Sequence, residues 1–221
     1  MALTWGATEP ELVKEIALLM GRIIQVTDPQ EVFVPLGVGR HIDHRLVFDA
    51  FRALSGHITN WDSDKTNPKL PGDLSFWCYE ERPYALVDQA TKMRLRELGY
   101  PVQLDSPRFF ASFWSAHYVQ KFFQDARERP MCGANYMESI RARLRAKKAP
   151  VSRLFTSDAT GAIWGIVSSY QSQLADFVGD RRQFEWLSRL ESRRRRSKSR
   201  YVERQWNPLR QNTNLTVTRD F

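Results

Sequence analysis

The stretch Pro35-Leu36-Gly37-Val38-Gly39-Arg40-His41-Ile42-Asp43-His44-Arg45-Leu46-Val47 decides how the chain is read. A short apolar run, Val32 to Val34, leads into it. Two glycines turn it, and a His-x-x-His pair opens an amphipathic segment. This order predicts a strand, a loop and the first turn of a helix, with two imidazoles at the junction. In open α/β sheets, ligands and metals gather outside the carboxyl ends of the strands, where such junctions lie. Glycine there lets the backbone turn sharply and leaves room for a ligand.

On a helix, positions three apart share a face, so His41 and His44 can reach one point. The positive end of the helix dipole disfavours an imidazolium in the first turn, which pushes His44 toward the neutral, metal-binding state. Asp43 sits where the dipole welcomes a carboxylate and can orient His41. A catalytic zinc takes three protein ligands and keeps one open position for water. The pair supplies at most two, so a third ligand has to come from elsewhere. The competing reading makes both histidines polar caps of the helix.

Outward from this junction the rhythm is helix, strand, helix, strand, as in a parallel α/β sheet. Thr8-Glu9-Pro10-Glu11 reads as a capping box ahead of Leu12, Ile16, Leu19 and Ile23 at helical spacing. Val32-Phe33-Val34 reads as a strand buried on both faces. Leu46, Val47, Ala50, Phe51 and Leu54 form the inward stripe of the next helix. A polar loop over Asn60 to Gly72 precedes a strand over Leu74 to Tyr79. A helix over Ala85 to Leu98 then stops at Gly99. Ser106-Pro107 opens a helix with an aromatic face (Phe109, Phe110, Phe113, Trp114, Tyr118, Phe122) that carries His117. A basic helix spans Met137 to Lys148, an amphipathic one Ile163 to Phe177, and a charged one Gln183 to Arg204. Asn207 to Phe221 reads as a loose tail. The expected fold is thus α/β: a Rossmann-like parallel sheet with flanking helices over residues 1–180, incomplete at its start, and a basic helix with a tail over 181–221.

Composition narrows the class. With 221 residues and a hydrophobic share of 42%, the chain suits one globular domain. No apolar run reaches the length of a membrane span, and the first residues lack the pattern of a signal peptide. Cys78 and Cys132 are too few for a disulfide framework, which suits a reducing, cytoplasmic compartment. Both read as buried small apolar groups. The net charge of +8 is concentrated in Arg193-Arg194-Arg195-Arg196-Ser197-Lys198-Ser199-Arg200. Such a run can attract nucleic acid or another anion. No base-reading module accompanies it, so a solvated helix end is the favoured reading. Trp186, Tyr201 and Trp206 are expected to pack against the domain.

Three segments together resemble a known family. Pro35 to Arg45 (PLGVGRHIDHR) resembles the P-L-G-x-G-x-H-x-D-H-R signature of the PIG-L/LmbE-like zinc-dependent N-acetyl-sugar deacetylases. Tyr79-Glu80-Glu81-Arg82-Pro83-Tyr84-Ala85 and Tyr170-Gln171-Ser172-Gln173-Leu174 resemble two further family segments, in family order. The resemblance implies that His44 is a Zn2+ ligand. It implies that His41 steadies the oxyanion or passes a proton, and that Asp43 tunes His41. Arg40, Arg82 and Tyr84 are candidate sugar contacts. The implied reaction removes an acetyl group from an N-acetylated sugar or glycoconjugate. The family's first signature, A-H-P-D-D-E, is not found; His57 and His117 lie in other contexts. The chain therefore resembles the C-terminal two-thirds of such an enzyme. Three readings follow: an enzyme whose start lies upstream, a homo-oligomer or complementing chain that completes the site, or a non-catalytic remnant. A basic nucleic-acid-binding protein is a further alternative.

Overall fold

The computed structural model describes residues 8–55, 70, 73–82, 84–116, 119–120, 148, 150–169 and 180–211, with side chains to 207 in the last strand. Four strands form one mixed sheet flanked by helices. In chain order the elements are α1 (Pro10–Thr27), β1 (Glu31–Pro35), α2 (Ile42–Leu54), β2 (Ser75–Tyr79), a 3-10 turn (Tyr84–Leu86), α3 (Ala90–Glu97), α4 (Ser106–Ser115), β3 (Pro150–Ser157), α5 (Thr160–Ser168), α6 (Arg181–Arg194) and β4 (Tyr201–Gln211).

The sheet order is β1-β2-β4-β3. β1 and β2 run parallel, with Val34 beside Cys78, and α2 lies between them in the chain. β4 then pairs antiparallel with β2, Cys78 beside Trp206, and antiparallel with β3 along its length. The fully parallel sheet expected from the sequence is therefore corrected to a mixed one. So are the C-terminal expectations: the charged helix ends at Arg194 rather than Arg204, and the presumed tail begins as part of a strand inside the sheet. Val202, Gln205, Trp206 and Asn207 of β4 are buried, and the arginines around them conceal the strand pattern. Gln205 accepts from Arg153 Nε of β3 at 2.9 Å, so its burial leaves no orphan acceptor.

The main core gathers Val34, Leu36, Phe48, Phe51, Phe76, Cys78, Met93, Leu95, Phe109, Phe113 and Trp206. Cys78 is fully buried, as its reading as a small apolar group requires, and burial raises its thiol pKa. A second cluster lets α1 approach α2 through small side chains, Val13 and Ala17 against Ala50 and Ala53.

Several local expectations change. The inward face of α1 is Val13, Ala17, Gly21 and Ile24, while Leu12, Leu19 and Ile23 face out. Glu9, not Thr8, is its N-cap, and Thr8 Oγ1 donates instead to Asp49 Oδ2 at 2.8 Å. Phe33 is 45% exposed, with the Arg153 guanidinium 5.6 Å from its ring, so β1 is not buried on both faces. The helix expected from Ala85 starts only at Ala90, because Gln89 adopts φ 65. Gly99 does take the left-handed stop position, φ 88. Trp186 is 60% exposed rather than packed, whereas Tyr201 and Trp206 are buried. The Asn60–Gly72 loop (apart from residue 70), the Met137–Lys148 helix (apart from residue 148), the second half of the Ile163–Phe177 helix, the Tyr170–Leu174 segment, His57, His117, Cys132 and the chain after 211 lie outside the described residues. Among the described residues no helix is long and apolar enough to cross a membrane.

Candidate functional site

The site grows from the carboxyl end of β1. Leu36 N donates to Tyr79 O at 2.9 Å, so the pairing with β2 continues one residue past the strand. Gly37 then takes φ 77, a left-handed conformation that a side chain would disfavour. Arg40 also has positive φ, at 56, and its N–H closes the turn onto Gly37 O at 3.3 Å. His41 follows as the N-cap of α2: its Nδ1 accepts from Asp43 N at 3.4 Å. An accepting Nδ1 leaves the ring proton on Nε2, available as a donor.

His44 lies in the first turn of α2. Its ring is 5.3 Å from that of His41, centroid to centroid, so the helical spacing does bring the two imidazoles together. Nδ1 of His44 is buried and makes no hydrogen bond; Glu81 Oε1 is 3.5 Å away. Burial, and secondly the neighbouring His41, push its pKa down to about 4, against a smaller opposing effect of Asp43. At neutral pH this imidazole is uncharged and its ring nitrogens can serve as ligands. The Asp43 carboxylate stands 3.6 Å from His41 Nδ1 and is 71% exposed.

Glu81, two residues past β2, braces the glycine loop. Its carboxylate accepts from Gly37 N and from Val38 N, the latter at 3.1 Å. Burial pushes its pKa up to about 7 although these amides and Arg94 favour the charge. Tyr84 stands edge-on to His44 at 6.0 Å and is 5% exposed. Gly39 makes room for that ring: a Cβ there would fall 2.1 Å from Tyr84 Cγ. Gly37 is thus required by backbone conformation and Gly39 by space.

Arg94 supports the loop from below. Its Nε donates to Leu36 O at 2.9 Å, and its Nη1 meets Glu97 at 3.2 Å. Glu97 also pairs with Arg40, whose side chain is 10% exposed. The structure therefore anchors Arg40 to α3. Arg82 is turned to β4, donating to Val202 O and lying 4.5 Å over the Tyr201 ring. Glu81, Arg94 and Glu97 did not stand out in the sequence as site residues. Glu81 could have been found as the carboxylate following β2, whereas the α3 pair gives only an ordinary i, i+3 charge pattern.

Among the described residues no group of three or more His, Cys, Asp or Glu side chains is placed to hold a metal ion. His44 fits one ligand position, with its orphaned buried nitrogen, and Glu81 is the adjacent carboxylate. A three-ligand zinc site would need donors from other residues. Comparison of the chain with protein-family models, with curated proteins and with solved structures found no match.

Proposed function

We propose that this chain carries part of the site of a zinc-dependent deacetylase acting on an N-acetylated sugar or glycoconjugate. The observation that carries the reading is His44 Nδ1: buried, without a hydrogen bond, and on a ring kept neutral well below pH 7. Leaving a buried polar atom unpaired costs about 1–3 kcal/mol, a cost that a metal bond would remove. The resemblance of Pro35 to Arg45 to the deacetylase signature supplies the reaction class. Bound zinc would polarise the acetyl carbonyl and lower the pKa of its water. His44 would hold the ion. His41, its Nδ1 engaged by the Asp43 amide, would present Nε2–H to the developing oxyanion or pass a proton to the departing amine. Glu81 fixes the loop on which both histidines depend. The missing donors would come from residues outside the described set or from a complementing chain.

The test measures zinc content and acetate release from N-acetylglucosamine derivatives, for the chain and for His44→Ala. Stoichiometric zinc, lost together with acetate release in the variant, supports the proposal. Metal content unaffected by the substitution refutes it. The lack of a three-donor cluster among the described residues favours a second reading, a non-catalytic partner on the same scaffold. Zinc held through His44 without acetate release identifies that case.

A further inference from the structure

Helix α1 is apolar on two faces. Val13 and Ala17 pack on α2 and Ile24 in the main core, while Leu12, Leu19, Ile23 and Val26 are 38%, 58%, 52% and 86% exposed. With Ile16, which touches the α1–α2 cluster from its edge, these outward residues recur at spacings of four, three, four and three. That is the seam spacing of a helix that packs lengthwise on another helix. The seam is about 21 Å long at 1.5 Å per residue, and one face so continuous is unusual on an uncovered helix.

The charges beside the seam select the occupant. Glu15 and Arg22 are exposed and lie on the same flank. Two copies of α1 packed antiparallel about a two-fold axis at Leu19 would set Leu19 on itself and Leu12 across from Val26 of the second copy. The two-fold keeps each flank facing its own copy. Glu15 then comes within one residue's rise, about 1.5 Å along the axis, of Arg22 on the second copy, and the pair occurs twice. A parallel pairing loses this: flanking positions five apart would meet, Glu15 against Met20 and Arg22 against Thr27. An anionic membrane surface would call for basic flanks, whereas Glu11, Lys14, Glu15 and Arg22 balance to zero.

We infer that the outward face of α1 is a self-association surface, on which two copies of this chain pair antiparallel with Leu19 at the two-fold axis. One helix pair buries less than the roughly 800 Å² per partner of a standard interface, so the dimer is weak and concentration-dependent. The inference rests on α1 alone and uses no residue of the zinc site.

Sedimentation equilibrium of the full chain tests it, with a dissociation constant on the order of 10 µM expected. Leu19→Glu should weaken the dimer at least tenfold or so while leaving the circular dichroism spectrum unchanged, because Leu19 is already solvent-exposed. Glu15→Arg and Arg22→Glu alone should each weaken it severalfold, and the double exchange should restore it to within about threefold. A chain monomeric up to roughly 200 µM overturns the inference, as does a dimer indifferent to Leu19→Glu. A double exchange no better than either single one also overturns it. Flotation with phosphatidylcholine–phosphatidylserine vesicles that depends on Leu19, in a monomeric chain, would assign the face to membranes instead.

Discussion

Gly39→Ala should damage the site through space, not through backbone strain. The added Cβ would lie 2.1 Å from Tyr84 Cγ and 2.3 Å from Cδ1. Carbon atoms rest about 3.5–4.0 Å apart, so the ring or the loop must move by more than an ångström. Tyr84 is 5% exposed and packed in the main core, so its ring cannot simply swing into water. Overpacking of this kind costs about 1–3 kcal/mol, and the upper half of that range is expected here. Tyr84→Ala alone opens a cavity and should cost about 3 kcal/mol or more. In the double variant the new methyl group enters space that the ring has left, so the two costs should fall short of their sum by at least about 1 kcal/mol. Gly37→Ala gives the contrast. It incurs the left-handed penalty of about 1–2 kcal/mol, and its Cβ meets the Arg94 guanidinium at 3.1 Å, a milder crowding than at Gly39. Urea unfolding of the four proteins of the Gly39–Tyr84 cycle measures the coupling. Additivity within about 0.5 kcal/mol, or a neutral Gly39→Ala, would refute the close approach of Tyr84 to the loop.

Two further outcomes follow from buried charge. Glu80 accepts from Trp206 Nε1 at 2.8 Å and from Arg195, and Arg195 Nε also donates to Glu191 at 2.6 Å, which ties α6 to the sheet. Arg195→Met should cost about 3–5 kcal/mol by leaving buried carboxylates uncompensated, and adding Glu80→Gln should recover part of it; a loss under about 1 kcal/mol in urea unfolding would contradict this. For Glu81, burial raises the folded pKa from 4.5 to about 7. The folded metal-free chain therefore binds more protons than the unfolded one between these values. Its contribution is full below pH 4.5 and is lost as pH rises through 7, on the order of 3 kcal/mol across the window. Glu81→Gln should flatten that part of the stability–pH curve, and an unchanged slope would show that the carboxyl is not the titrating group.

The junction was legible because its signals are local. An apolar run, two glycines and a helix-period stripe each constrain their own neighbourhood, and β1, α2 and β2 lie within a few residues of where the pattern puts them; α4 starts at Ser106 as read but stops at Ser115, where Ala116 turns extended, short of the stripe that runs to Phe122. The convergence of His41 and His44 was legible for the same reason, since helical spacing alone brings them together. The C-terminal strands were not. β4 pairs with β2 across more than a hundred residues, and its buried positions are interrupted by the adjacent Glu203 and Arg204, which read as charged helix. Only the pairing with β2 on one side and β3 on the other makes that sequence a strand. Arg195 carried the same ambiguity: within a run of arginines it reads as solvated, yet Glu80 and Glu191 draw it to 13% exposure. The anchoring of Arg40 by Glu97 was likewise invisible, because it depends on where α3 comes to rest.

The claim that His44 binds zinc is tested most directly by zinc K-edge X-ray absorption of the chain loaded with one equivalent. A nitrogen-containing shell at about 2.0–2.1 Å with the outer scattering of an imidazole is expected, and it should be lost in His44→Ala. Spectra from the chain and its His44→Ala variant that superimpose would contradict it.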